Sequence, residues 1–252
     1  MVHALRASVL AILVATSCAP RQELVITPHL TAGTKLSYGF QASVITTLSQ
    51  LDRDTVRSTL SGIVDLEVLT DDARGTELRI RFTPTASTRD GEPTEPGPAQ
   101  SRDVTLRPDG TVRADGIQQG QLGNADLQPE LLATVLHPDV PSPLAEPGIR
   151  WETDSSSGQL VALDRSDGRD LAELLLRREV AVQRQRTLDG RPVDLDGIER
   201  SSTMLTWDLD DGIPTRAELH SSATLDVRAG ALLGGTITIE ATTSVRLLDQ
   251  VR

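Results

Sequence analysis

The sequence predicts a mainly β protein, α+β at most. It reads as a curved antiparallel sheet or half-barrel, built from two similar halves of about five strands with one short helix between them. Three observations predict this. Apolar and polar residues alternate with a period of two in successive segments, which describes strands buried on one face and favours antiparallel pairing. Asp-Gly pairs follow such segments at Asp109-Gly110 and Asp211-Gly212, and that chemistry suits hairpins. Finally, Gly148-Ile149-Arg150-Trp151 echoes Gly33-Thr34-Lys35-Leu36, the start of one half matching the start of the other.

In chain order, residues 1–17 read as a signal peptide: His3 and Arg6, an apolar run from Ala7 to Ala15, then Thr16-Ser17. The run is far shorter than the roughly 20 residues that span a membrane. Cys18, the single cysteine, follows those small residues, so it is the expected lipidation site; an incidental cysteine and a free thiol are the competing readings. Two or three palmitate-class chains, at ~0.8 kcal/mol per buried methylene, make a lasting membrane anchor. Residues 18–32 are then a lipidated cysteine and tether, its polar part Ala19-Pro20-Arg21-Gln22-Glu23. The expected address is the outer side of the cytoplasmic membrane or the outer membrane.

The first β half is 33–124. Leu36, Tyr38, Phe40, Ala42 and Val44 share one strand face; Leu60, Val64, Leu66 and Val68 share another, with Gly62 marking a bulge. Leu78, Ile80 and Phe82 follow, and Val104 and Leu106 turn through Pro108-Asp109-Gly110 into Val112 and Ala114. Thr88 to Arg102, polar and proline-rich, reads as a mobile surface loop. Residues 125–147 are helix and connector, the helix starting at Asp126 and stopped by Pro138. The second β half is 148–252. Within it Asp170 to Thr187 fits a strand through Leu174, Leu176, Val180 and Val182, while Asp170 with Glu173 also fits a helix capping box; strand is the reading adopted.

Composition narrows the function. With 36 acidic against 25 basic residues and a net charge of −11, the chain offers no basic block for nucleic acid. Aromatics make up 2% of residues, too few for base-stacking, sugar-binding or haem surfaces. Tyr38, Phe40, Phe82 and Trp207 fall on predicted inner faces and Trp151 opens the second half, so all five read as core.

No set of residues converges on catalysis. His29, His137 and His220 lie outside ligand spacing of one another, and no cofactor or metal is expected. Asp194-Leu195-Asp196-Gly197 and Asp208-Leu209-Asp210-Asp211-Gly212 carry clustered carboxylates, but neither completes a calcium loop, and both read as turns. Ser155-Ser156-Ser157-Gly158 lacks a nucleophile elbow and reads as a flexible loop. The inner faces read as a packed core, with an apolar cavity, for which the small residues Ala42, Ala114, Ala217, Ala223 and Ala241 would leave room, as the alternative.

The segment Val14-Ala15-Thr16-Ser17-Cys18 resembles a lipobox, with Ala15 where Leu is preferred. Together with Gly33-Thr34-Lys35-Leu36-Ser37-Tyr38, the connector into Pro147-Gly148-Ile149-Arg150-Trp151 and the Asp210-Asp211-Gly212-Ile213 hairpin, it makes the chain resemble uncharacterised bacterial lipoproteins with a duplicated antiparallel sheet. In strand number and address the chain also looks like lipoprotein-carrier half-barrels, which implies a curved sheet around an apolar cavity. The expected function is a non-catalytic envelope lipoprotein, a binding or scaffolding module whose partners are the membrane and a hydrophobic ligand or envelope protein. A carrier of lipid or acyl chains and an envelope hydrolase using paired carboxylates are the alternatives.

Overall fold

A computed structural model of the chain describes residues 24, 26, 30–49, 54–107, 112–114, 135, 138, 140, 146–153, 156–166, 168–188, 191–229 and 233–251. The predicted signal peptide, Cys18, His29, His137 and all of the predicted helix except Val135 lie outside them.

The described residues form twelve strands: β1 (Lys35–Leu48), β2 (Asp54–Asp72), β3 (Gly75–Arg89), β4 (Glu92–Thr94), β5 (Gln100–Leu106), β6 (Val112–Ala114), β7 (Arg150–Glu152), β8 (Ser156–Ser166), β9 (Arg169–Leu188), β10 (Arg191–Asp208), β11 (Ile213–Ala229) and β12 (Leu233–Val251). They make one open, curved antiparallel sheet in the order β6-β5-β3-β2-β1-β12-β11-β10-β9-β8-β7, with β4 paired to β3. Each half is an up-and-down meander. The seam is β1 against β12, antiparallel from Lys35↔Val251 to Leu48↔Ile237, so strands from the two ends of the sequence meet in mid-sheet. The outermost strands, β6 and β7, have three residues each, so beyond their ends β5, β8 and β9 form the margin of the sheet.

The predicted alternation holds throughout. Leu36, Tyr38, Phe40 and Ala42 of β1 oppose Leu66, Val64, Gly62 and Leu60 of β2, all on one face. That inner face carries a large core, including Trp207, Leu174 and Leu205, and a second cluster of Val182, Val193, Leu195, Leu225 and Ile237. At ~1.5–3 kcal/mol per large side chain fully buried, the larger cluster dominates the stability of the sheet. Phe40 and Phe82 meet edge to face at 4.6 Å. Leu24, Ile26, Leu30, Val135 and Val140 also pack into the larger core, so residues outside the sheet cover that end. Of the predicted tether 18–32, Leu24, Ile26 and Leu30 thus belong to the folded domain.

Three expectations are corrected. The predicted loop 88–102 contributes three stretches of strand: β3 continues to Arg89, β4 pairs with it, and β5 begins at Gln100 against Phe82. Asp90 and Gly91, both at positive φ (53° and 89°), make the two-residue turn that allows this. Asp194–Gly197 is not a turn but lies inside β10. There Gly197 is required because a Cβ would sit 2.1 Å from the Thr224 carbonyl oxygen. Ser156, Ser157 and Gly158 are strand, not flexible loop, since the Trp151 ring lies on Gly158, where a Cβ would come within 2.2 Å of it. Asp170 to Thr187 is strand, within β9. Gly62 does mark a bulge, the register shifting between Ser61 and Gly62.

Candidate functional site

Registers across the sheet place Ser156, Arg178, Ser201, Ser221, Ala241, Val44, Ser58 and Arg89 side by side on the inner face, in a row crossing eight strands. Next to it runs a second row: Val180, Glu199, Ala223, Ile239, Thr46 and Val56. These rows lie between the two buried clusters. On one flank Leu176, Thr203, Leu219, Ala42 and Leu60 are buried, and on the other Val182, Leu225 and Ile237 are buried. Val44, Val56, Val180, Ala223, Ile239 and Ala241, by contrast, are all only half-buried. The inner face is therefore filled at one end and, over β9 to β12, at the other, and it is open across its middle, a tract whose floor is small or β-branched residues and serine hydroxyls.

The same tract carries an unusual charge. Between the strand ends, its described inner-face residues include two arginines, Arg178 and Arg89, and one carboxylate, Glu199, in a chain with 36 acidic and 25 basic residues. At the β9 side the tract opens sideways, because β7 ends at Glu152 and β8 begins only at Ser156, opposite Arg178. A cleft of about 420 Å³ occupies this step, lined by Glu152, Thr153, Ser156, Ser157, Arg177, Arg178, Glu179, Arg200 and Ser201. Arg200 is committed to Glu179 at 2.9 Å. Thr153 and Ser156 bond each other at 2.8 Å.

A second cleft, of about 490 Å³, lies on the outer face against β1, β2 and β3. Its charges are satisfied across strands: Lys35 with Glu67 at 3.2 Å, Arg79 bidentate on Asp103 at 2.9 and 3.1 Å, and Ser37 donating to Asp65 at 2.8 Å. Exposed pairs of this kind add little to stability and read as a solvated strand face.

The remaining residues singled out in the sequence stay apart. His220 is exposed on β11, its Nδ1 3.3 Å from the Thr242 hydroxyl. Asp208 is fully buried, but its Oδ1 accepts the amides of Asp210 and Asp211 at 3.0 and 2.9 Å and its Oδ2 accepts Arg169 at 3.0 Å, so it caps the β10–β11 turn. Among the described residues, no group of three His, Cys, Asp or Glu side chains is placed to hold a metal ion. Leu174 and Leu176 are core; Ala223 and Ala241 line the open tract. Sequence reasoning passed over Arg178, although it interrupts the series Ala172, Leu174, Leu176, Val180, Val182 at the period of the strand, and an interruption of that kind is the available signal.

No protein-family model matches this chain and no curated protein matches it. Among solved structures, one of lipovitellin, concerned with lipid–protein interactions, is similar at 10% identity over 88% of this chain and 26% of that one, with a TM-score of 0.47. The chain spans about a quarter of the lipovitellin chain's length. A LolA superfamily protein from Nitrosomonas europaea is similar at 11% identity over 89% of each chain, with a TM-score of 0.18. At those scores neither likeness bears on function.

Proposed function

We propose that the protein is a non-catalytic, exported binding module that carries an elongated hydrophobic ligand, a lipid or an acyl chain, in the open tract of its inner face. The observation that carries this reading is the exposure profile: a band of Val, Ile and Ala side chains left half-buried between two clusters that are closed. An alkyl chain of about a dozen methylenes lying on that band would gain on the order of 10 kcal/mol from burial, before the costs of ordering. Acylation of Cys18 would tether the domain at a membrane. The covalent reach of residues 19–23 is at most about 18 Å, so the end of the sheet that buries Leu24 and Ile26 would face the lipid.

The test is native mass spectrometry of the full chain extracted gently from membranes, with displacement of a fluorescent fatty acid as the solution counterpart. The wild type is expected to carry an adduct of several hundred daltons and to bind the probe, and Ala223→Trp with Ala241→Trp is expected to lose both while remaining folded by circular dichroism. An adduct-free wild type that ignores the probe overturns the carrier reading. For the anchor, Cys18→Ala is expected to lose radiolabelled palmitate and membrane association; retention of both overturns it.

A further inference from the structure

We propose that the ligand is an anionic phospholipid and that Arg178 is the residue that selects its phosphate; this rests on the carrier reading above. Arg178 lies on the inner face, in the row that crosses the tract, and it also lines the cleft where the sheet edge steps back at Ser156. Among the described side chains it is therefore the one guanidinium that belongs to both the tract and its mouth. Nearby Arg200 is neutralised by Glu179 at 2.9 Å, whereas Arg178 has no carboxylate within ion-pair distance among the described residues. An exposed guanidinium with free donors binds a phosphate through charge-assisted, bidentate hydrogen bonds, and the hydroxyl of Ser201 stands next to it in the row. A tail leaving that headgroup meets Val180, Ala223 and Ile239, so the polar and apolar parts of one amphiphile fit the two parts of the site in order.

Charge supports an anionic head over a zwitterionic one. A chain of net charge −11 repels anionic surfaces in general, so any preference for an anionic lipid must come from a local site. Among the described residues of the tract, Arg178 and Arg89 stand against Glu199 alone.

The experiment titrates the full chain with monomeric lysophosphatidylglycerol and lysophosphatidylcholine, below their critical micelle concentrations, by isothermal calorimetry. The wild type is expected to bind the anionic lipid more tightly by on the order of tenfold, a preference that shrinks at high salt. Arg178→Gln is expected to weaken both lipids, the anionic one more, and so to bring the two affinities together. Arg246→Gln, on the outer face of β12, is expected to keep the preference. Equal affinities in the wild type, or an undiminished preference in Arg178→Gln, overturn the headgroup assignment while the carrier reading stands. Failure to bind either lipid overturns both.

Discussion

Gly33 and Gly148 hold the same backbone conformation at the entrances to the two halves of the sheet, each with φ at +91°. The hydrogen bonds around them also correspond. Gly33 N donates to the Val68 carbonyl as Gly148 N does to that of Leu160. Thr34 and Val68 then repeat as Ile149 and Leu160, the later residue's amide donating to the earlier one's carbonyl. Thr34 N donates to Thr31 and Ile149 N to Glu146. The echo between the two tetrapeptides is thus an echo of structure.

Because a Cβ at either glycine would meet nothing within 4 Å, alanine there is penalised only by the positive φ. Gly33→Ala and Gly148→Ala are each expected to cost about 1 kcal/mol, and equally, in urea denaturation.

Gly158 is different, since its Cβ position is taken by the Trp151 ring at 2.2 Å. Gly158→Ala is expected to cost ~2–3 kcal/mol by displacing that ring. Combined with Trp151→Ala, the loss is expected to fall well short of the sum of the two single variants, and a double-mutant cycle measures the shortfall. Phe40 over Gly62 is the counterpart in the first half, with the ring 3.0 Å from the Cβ position.

Asp208 is a buried carboxylate with all its bonds made, so removing it leaves two amides and Arg169 without their acceptor. Asp208→Ala is expected to destabilise by about 3 kcal/mol. Asp103→Asn, which breaks only an exposed pair with Arg79, is expected to leave the denaturation midpoint nearly unchanged in the same measurement.

Tyr38 donates to the Pro214 carbonyl at 3.0 Å, and burial pushes its hydroxyl well above the ordinary phenol value. In the unfolded chain that proton leaves near pH 10. Above that pH the unfolded state therefore binds fewer protons than the folded one, and stability falls as pH rises, by up to ~1.4 kcal/mol per unit. Tyr38→Phe is expected to cost about 1 kcal/mol at neutral pH and to flatten the alkaline limb between pH 10 and 12, read from denaturant midpoints.

Much of this architecture was legible in the chain. Alternation places Leu36, Tyr38 and Phe40 inward because a strand's side chains have period two, and every strand read that way is present. The strand assignment of Asp170 to Thr187 held over the capping-box alternative because β8 and β10 flank β9 and use its backbone groups. Residues 88–102 are strand despite their prolines because the Asp90-Gly91 turn brings the chain back onto β3, and Pro93 sits in the three-residue β4 at the margin of the sheet.

By itself the sequence determined the strand faces, the one-sided burial, the commitment of Tyr38, Phe40, Phe82, Trp151 and Trp207 to core positions, and the matching turns at Gly33 and Gly148. These follow from local sterics and periodicity, which adjacent residues carry among themselves. Tertiary structure alone decided that β1 pairs with β12, and so which residues of distant strands share a row. The open tract from Arg178 to Arg89 exists only through that pairing, because five of its six inter-strand steps join strands consecutive in the chain and the sixth, Ala241 to Val44, is a long-range register that no local pattern encodes.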